Sequence, residues 1–159
     1  MKDFGKIKNT GRKIVAVLEV GIIHEGLPVF KIDFHLEVKG DATLRSGLFS
    51  AIQSFAKEAF GDETEELRLK NLTICLKTIQ LHDGRDIALY AVADKDSHNI
   101  DPIKNSLLKT GEQIKRLVAD GTKLSTIEPA VNDVFKPAFE NEFKDLRMRP
   151  AERAKRLFG

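Results

Sequence analysis

Hydrophobic and polar positions follow clear patterns near the start of this chain, and these patterns predict a β-hairpin. The first apolar run, "IVAVLEVGII" at residues 14–23, has no helical spacing, so it predicts a strand buried on both faces in the middle of a sheet. The turn residues of "HEGLP" come next. Apolar and polar residues then alternate, which predicts a half-buried strand paired antiparallel with the first. Its apolar face consists of Phe30, Ile32, Phe34, Leu36 and Val38.

A helix is predicted after the hairpin, between Asp41 as N-cap and Gly61 as the stop, because apolar residues recur three and four positions apart. Gly47 lies inside this predicted helix. Either the helix approaches the sheet closely at this residue, or the glycine is simply tolerated at a cost of up to ~1 kcal/mol in helix stability relative to alanine. Phe49 and Phe60 lie outside the apolar stripe. Each is either at the edge of the core or, if exposed, a contact point for a partner. The stripe, which in an amphipathic helix faces the core, consists of Leu44, Leu48, Ala51, Ile52, Phe55 and Ala59.

Two or three strands follow. The β-rich segment "ELRLKNLTICLKTIQLH" predicts one bent strand or two short ones, with a break near Asn71. The segment "DGRD" predicts a hairpin turn with Asp83 and Gly84 at its tip, and "IALYAVAD" predicts another mostly buried strand.

Two helices are predicted at the end of the chain. The first begins at Pro102 behind a capping Asp101 and ends at Gly121. The second begins with "STIE", in which Ser125 and Glu128 have capping-box spacing, and Pro137 should kink it. The apolar positions are Ile103, Leu107, Ile114, Leu117 and Val118 in the first helix, and Ile127, Val131, Val134, Phe135, Ala138 and Phe139 in the second.

The predicted order is β-β-α-β-β-β-α-α, which indicates an α+β fold. A five-stranded antiparallel sheet can carry one helix on one face and two on the other, so that an α/β/α sandwich of three layers results. The length of 159 residues suits one domain. We assign it to residues 13–146, between a basic N-terminal extension at residues 1–12 and a basic C-terminal tail at residues 147–159.

Composition and charge limit the cellular compartments and the classes of partner that fit this chain. The chain is 42% hydrophobic, shows no apolar run near the ~20 residues of a membrane span, and starts without the apolar core of a secretory signal. A single cysteine, Cys75, excludes an internal disulfide and fits a reducing compartment, so we expect a cytoplasmic protein. The ends, residues 1–13 and 144–159, are basic and the body is acidic. These ends are either solvated or weak contacts to an anionic membrane; without an RNA-binding aromatic motif, nucleic acid is disfavoured.

No residue pattern in the chain predicts catalysis. The histidines, His24, His35, His82 and His98, lack the short His/Cys/carboxylate spacing of a zinc site. Cys75 lies in a predicted strand with no neighbouring group to lower its pKa, which favours a structural role over a nucleophile. There is no phosphate-binding glycine motif. We therefore predict a protein that is not an enzyme and that uses no cofactor or metal.

Four segments together resemble the longin domain, the SNARE-like, profilin-type fold of membrane-trafficking proteins. They are "VGIIHEGLPVFKIDF", "LRSGLFSAIQSFAKEAFG", "LTICLKTIQLHDGRDIALYAVADK" and "FKPAFENEF". Each is degenerate, and the likeness rests on their order over about residues 12–146. The chain is also similar to single-domain longin-like proteins of archaea. It departs from longin-bearing SNAREs, because no heptad motif or membrane anchor follows the domain.

The resemblance implies a binding platform without catalytic residues. Its partners would be a small GTPase or another longin- or roadblock-like domain, and a homodimer is also expected. The expected contact face combines the first long helix with its neighbouring edge strand and consists of Arg45, Phe49, Ile52, Gln53 and Phe60. The alternative is a ligand-sensing domain of profilin, GAF or PAS type, which predicts a closed apolar pocket between sheet and helix. An enzyme is the third hypothesis and would need polar residues converging in a cleft.

Overall fold

The computed structural model of the chain describes residues 16–34, 42–94, 99–124 and 133–147. They form an α+β fold with a five-stranded antiparallel sheet. The strands are β1 (Val17–His24), β2 (Leu27–Asp33), β3 (Glu66–Arg68), β4 (Leu72–Gln80) and β5 (Asp86–Asp94). The helices are α1 (Ala42–Phe60), α2 (Asp101–Ala119) and α3 (Lys136–Phe143), with a 3-10 turn at Asp133–Phe135 before α3.

Several sequence predictions lie outside the described residues. They concern the basic extension at residues 1–12, the tail beyond Arg147, the N-cap at Asp41, and the capping box of Ser125 and Glu128. The same holds for the side chains of His35, Leu36, Val38, His98, Ile127 and Val131.

The strands pair in the order β2-β1-β5-β4-β3, so β1 lies inside the sheet as predicted. Gly21 of β1 pairs with Lys31 on one side and with Tyr90 on the other. The turn between β1 and β2 places Glu25 and Gly26 at positive φ, the backbone form that suits the twist of a tight hairpin. The predicted β1–β2 and β4–β5 hairpins are confirmed, and the segment around Asn71 separates two strands rather than bending one.

The main core lies between one face of the sheet and the helices α2 and α3. Three phenylalanines of the C-terminal segment are fully buried there: Phe135, Phe139 and Phe143. The Phe139 ring stacks on Phe30 of β2, with ring centroids 5.6 Å apart. These aromatic contacts join the C-terminal helix to the N-terminal hairpin, so residues distant in sequence close one core.

The opposite face of the sheet holds a smaller apolar cluster under α1. Phe49 enters it from α1 and lies 5.8 Å from Tyr90, centroid to centroid. The strand residues of this cluster are Ile23, Ile74, Leu76, Tyr90 and Val92. Because the two clusters occupy opposite faces of the strands, the described residues form three layers: α1, the sheet, and the pair α2 and α3.

The prediction that the apolar stripe of α1 faces the core is wrong. Leu44, Leu48 and Phe55 are 74%, 57% and 66% exposed, and Ser46 and Phe49 are buried instead. The sheet explains this rotation, because the face beneath α1 presents Glu19, Thr78 and the Tyr90 hydroxyl. These polar groups need hydrogen-bond partners when buried. The polar side of α1 supplies them, and the apolar stripe is turned to solvent.

Two further predictions about helices need correction. Pro137 lies in the first turn of α3, directly after the 3-10 turn at Asp133–Phe135, where a missing N–H costs no helix hydrogen bond. Among the described residues it therefore begins a helix instead of kinking one. Asp101 is the first residue of α2 rather than its cap, and its N–H donates to the Asn99 side chain. The expected helix stop holds, since α2 ends before Gly121, which has a φ of 110°.

The interior glycines of the two long helices have opposite surroundings. A Cβ at Gly47 would meet nothing within 4 Å, so close approach to the sheet does not explain this residue. A Cβ at Gly111 of α2 would meet the Ile79 Cδ1 atom at 1.9 Å. The close helix–sheet contact that the sequence suggested for α1 therefore exists in α2.

This contrast predicts opposite changes in stability. Gly47→Ala should raise the free energy of unfolding by about 0.5–1 kcal/mol, because the helix loses a flexible residue at no steric cost. Gly111→Ala should lower it by about 1–3 kcal/mol, because Ile79 must move. Urea unfolding of both variants measures the two values. If the free energy of unfolding changed in the same direction in both variants, the packing described for α1 and α2 would be contradicted.

Candidate functional site

A buried ionic cluster holds the first half of α1 on the sheet. Glu19 of β1 is fully buried. Arg45 Nη2 donates to Glu19 Oε1 at 3.1 Å and to Oε2 at 3.0 Å, and the Tyr90 hydroxyl donates to Oε2 at 2.5 Å. The carboxylate thus has partners on two elements, and the cluster sets the rotation of α1 about its own axis.

Burial dominates the electrostatics of this cluster. Desolvation raises the pKa of Glu19 above its usual value, while the Tyr90 hydrogen bond and the Arg45 charge oppose that rise. Burial also raises the pKa of Tyr90, and the neighbouring Glu19 carboxylate adds to the shift, so the phenol stays protonated as a donor. Gly21 makes room for the ring, because a Cβ there would lie 2.6 Å from Tyr90 Cε1.

Gln53 fixes the second half of α1 to the sheet. Its Nε2 donates to Thr78 Oγ1 on β4 at 3.3 Å, and its Oε1 accepts the N–H of Thr64 at 3.3 Å. The same side chain therefore joins α1, β4 and the loop that leads to β3. Together with the Glu19 cluster, it holds both halves of the helix at one rotation.

The structure separates the five residues of the predicted contact face. Arg45, Phe49 and Gln53 come together on the sheet side of α1, where they position the helix. Ile52 is half-buried. Phe60 stands apart at the end of the helix and is 76% exposed. Of the five, Phe60 has the surface that contact with a partner would require.

The exposed apolar stripe of α1 forms a continuous surface, which we call the α1 outer face. Leu48 and Phe55 lie at its centre, and the Phe60 ring stands edge-on to Phe55 with centroids 6.2 Å apart. Exposed apolar patches of several hundred Å² mark interaction sites on soluble proteins. The sequence pattern identified this stripe but not its direction. The residues of the α1 outer face are Leu44, Leu48, Ala51, Phe55, Ala59 and Phe60.

A groove of about 870 Å³ lies between α1 and the tips of both hairpins. Ile23 and Ala88 contribute apolar surface, whereas most of the lining residues are polar or charged, among them Ser50, Gln53 and Lys57. The groove is open to solvent. It therefore differs from the closed apolar pocket that a ligand-sensing domain of PAS type predicts.

The described residues hold no group of three His, Cys, Asp or Glu side chains placed to bind a metal ion. His24 and His82 belong to hairpins whose tips share one end of the sheet, as the pairing of Ile23 with Ala88 shows. Cys75 is buried, and burial with the added effect of the Glu66 carboxylate raises its pKa to about 11. Its thiol is protonated near neutral pH, which agrees with a structural role.

The thiol environment predicts slow modification of Cys75. A pKa of about 11 in place of 9.0 lowers the thiolate fraction at pH 7 by about 100-fold, and burial restricts access further. We expect alkylation by iodoacetamide to be at least ~100-fold slower in the native protein than in 8 M urea. Mass spectrometry over a time course measures both rates. Similar alkylation rates in the two conditions would contradict the burial of the Cys75 thiol in β4.

No helix in the described ranges combines the length and the apolar character needed to cross a bilayer. No protein-family model matches the chain, and no curated protein matches it either. The longin-like resemblance accordingly depends on the residue patterns and their order along the chain.

Proposed function

We propose that this chain is a non-catalytic protein-interaction module with a longin-like three-layer fold, and that it scaffolds or regulates a small GTPase or a membrane-trafficking-type complex. The observation that carries the proposal is the α1 outer face, a helix surface with Leu48, Phe55 and Phe60 more than half exposed. The sequence resemblance supports the class of partner: a small GTPase or another longin- or roadblock-like domain. The proposed setting is the cytoplasm, with the basic termini as weak contacts to anionic membranes.

The packing of α1 explains how such a surface is maintained. Turning the apolar stripe toward the sheet would remove Arg45 from Glu19 and Gln53 from Thr78, leaving buried polar groups without partners. The cost of those lost interactions opposes the apolar gain from burying the stripe. The helix is thereby held with its apolar side outward, where a protein partner can bury it.

The test is light scattering of the purified protein, alone and mixed with small GTPases of its source organism in their GDP and GTP forms. We expect a stable complex with one GTPase, with preference for one nucleotide state. Absence of a complex across the whole set would contradict the GTPase part of the proposal.

Variants test whether contact with a protein partner uses the α1 outer face. Phe55→Glu places a charge in the middle of the face and should weaken the complex by about 100-fold. Leu69→Glu is the control, because Leu69 is also more than half exposed but lies between β3 and β4. Equal effects of both substitutions would show that the surface is misassigned.

A second candidate function is ligand sensing. The groove beside α1 is open and mostly polar, unlike the closed apolar pocket of a PAS-type domain, but its volume falls in the range of small-molecule sites. A thermal-shift screen with a library of polar metabolites tests this alternative. A ligand that raises the melting temperature of the native protein but not that of a Lys57→Ala variant would support it, since Lys57 is exposed and lines the groove.

A further inference from the structure

We propose that the cluster of Glu19, Arg45 and Tyr90 is a proton-dependent switch that controls how firmly the first half of α1 is held on the sheet. When the Glu19 carboxylate takes up a proton, its hold on Arg45 weakens. This inference rests on the proposed function, because it names a regulation of the α1 outer face: Leu44 and Leu48 of that face lie in the same half of the helix as Arg45.

The two charged members of the cluster differ in their access to water. The Glu19 side chain has no exposed surface, whereas the Arg45 side chain is 18% exposed. Glu19 belongs to β1, a strand with neighbours on both sides, and Arg45 extends from a surface helix on a long, flexible side chain. A change of charge on the carboxylate therefore acts mainly on the position of the arginine, since the strand cannot move.

Proton uptake and arginine binding are coupled reciprocally at this carboxylate. The positive charge of Arg45 favours the ionised form of Glu19 and lowers its pKa. By linkage, a proton on Glu19 weakens the attraction for Arg45 by the same factor. The hydrogen bonds at 3.0 and 3.1 Å would then join a cation to a neutral acid, and they lose the charge assistance that makes such bonds roughly twice as strong. Acid pH thus lowers the free energy that holds Arg45 on β1.

Glu19 is the member of the cluster whose charge changes in acid. Burial raises its pKa, the Tyr90 hydrogen bond and the charges of Arg45 and Lys31 oppose that rise, and Asp33 adds to it. Lys31 and Asp33 form an ion pair at 3.0 Å on β2, so their opposite charges partly offset each other at Glu19. Burial also raises the pKa of Tyr90, and a guanidinium keeps its charge, so both partners stay protonated. These are the charged and titratable groups of the described residues that act on Glu19, from α1, β5 and β2.

The second half of α1 is attached in a way that does not depend on this charge. Gln53 joins the helix to Thr78 and to Thr64 through hydrogen bonds between uncharged groups. Gly47 lies between Arg45 and Gln53, has open space around it, and lowers the local stability of the helix. The two halves can therefore respond differently, and we expect the effect of the proton to be confined to the half that contains Arg45.

Tyrosine fluorescence tests whether Glu19 takes up a proton in the folded chain. Tyr90 is the only tyrosine and the chain has no tryptophan, so the emission reports on this one phenol. An ionised carboxylate that accepts the hydrogen bond of a phenol quenches its fluorescence more than a neutral acid does. We expect the emission to rise as the pH falls, with a midpoint above 4.5 and with native circular dichroism throughout. The emission of a Glu19→Gln variant should stay constant over the same range.

Nuclear magnetic resonance tests the hold on Arg45, with Arg85 as an internal control. Arg85 is paired with the exposed Asp83, whose pKa is lowered by the hydrogen bonds from Arg85, so this pair stays ionised in the same range. We expect the solvent exchange of the Arg45 Nε proton, relative to that of Arg85, to accelerate at least about tenfold as the pH falls through the fluorescence midpoint. The Arg45 signal is assigned by its absence in Arg45→Lys. Backbone amide signals of residues 43–50 should shift with the same midpoint, and those of residues 54–60 should not.

An exchange ratio that stays constant across the midpoint overturns the switch, and so does a pH response that persists in Glu19→Gln. The wild-type ratio decides the outcome even if that variant does not fold. Both measurements use the protein without a partner, so their failure leaves the proposed function in place. A switch in a protein that binds no GTPase would stand, while the GTPase part of the proposal would fall. Where a complex forms, its affinity should decrease through the same midpoint for the wild type and stay constant for Glu19→Gln.

Discussion

We expect Arg45→Met to lower the free energy of unfolding by about 3–5 kcal/mol at pH 7.5. The substitution leaves the Glu19 carboxylate fully buried with the Tyr90 hydroxyl as its hydrogen-bond partner, and it removes the guanidinium, whose charge acts on this carboxylate more strongly than that of Lys31. Methionine keeps much of the arginine volume. The decrease in the free energy of unfolding therefore arises mainly from removing the positive charge that pairs with Glu19. Chemical unfolding followed by circular dichroism measures the change.

The stability that Arg45→Met removes should become smaller as the pH falls. The direction of this change follows from the raised pKa of Glu19. Between the unfolded value near 4.5 and the higher folded value, the folded state holds a proton that the unfolded chain has released. Stability contributed by Glu19 therefore falls as the pH rises through that window. Without Arg45 the pKa of Glu19 should rise further, so the Arg45→Met variant regains stability as the pH is lowered toward 4.5.

The matched control is Glu19→Gln, which removes the carboxylate charge. Because the wild type loses stability as the pH rises through this window and the variant does not, the variant should become more stable relative to the wild type. Adding Arg45→Met to Glu19→Gln should cost much less than Arg45→Met alone, because no buried carboxylate is left without its cation. A loss that is identical at pH 5 and pH 7.5 would contradict the burial of Glu19 as a charged group.

Phe139→Ala should lower the free energy of unfolding by about 3–5 kcal/mol. Phe139 has no exposed surface, and its ring stacks on Phe30 and lies 6.2 Å from the Phe143 ring. The substitution opens a cavity where the C-terminal helix meets the N-terminal hairpin, and rigid strands on one side limit its collapse. Urea unfolding measures the loss.

Phe60→Ala provides the comparison for that substitution. Phe60 is 76% exposed, so its replacement should change stability by no more than about 0.5 kcal/mol in a monomer. It should nevertheless weaken contact with a partner. Similar losses of stability for the two phenylalanines would contradict the packing of α3 on β2.

The arrangement of α1 links stability to the proposed function. Arg45 and Gln53 act as positioning residues, because they hold the helix at a rotation that keeps Phe55 outward. Loss of the Glu19 cluster should therefore affect partner binding as well as stability. Partner affinity measured for Arg45→Met under conditions where it stays folded would separate the two effects.

The sequence alone determined most of the elements and their order, because the signals for them are local, but it left open whether the segment that became β3 and β4 is one bent strand or two. Alternating and continuous apolar runs predicted the strands that became β1, β4 and β5, and glycines at turn positions placed the hairpin tips, such as Gly26 and Gly84. The three-and-four spacing predicted α1 and α2. It also identified the members of the apolar stripe on α1, although not the side on which they lie.

Only the tertiary structure decided how α1 sits on the sheet, and with it the character of the candidate site. Periodicity defines an apolar side of a helix but contains no information about what that side meets. Here Glu19 and Tyr90, which come from strands more than twenty residues away in the chain, present polar groups beneath the helix. Burying these groups without partners costs more than exposing leucine and phenylalanine, so the polar side of α1 faces the sheet.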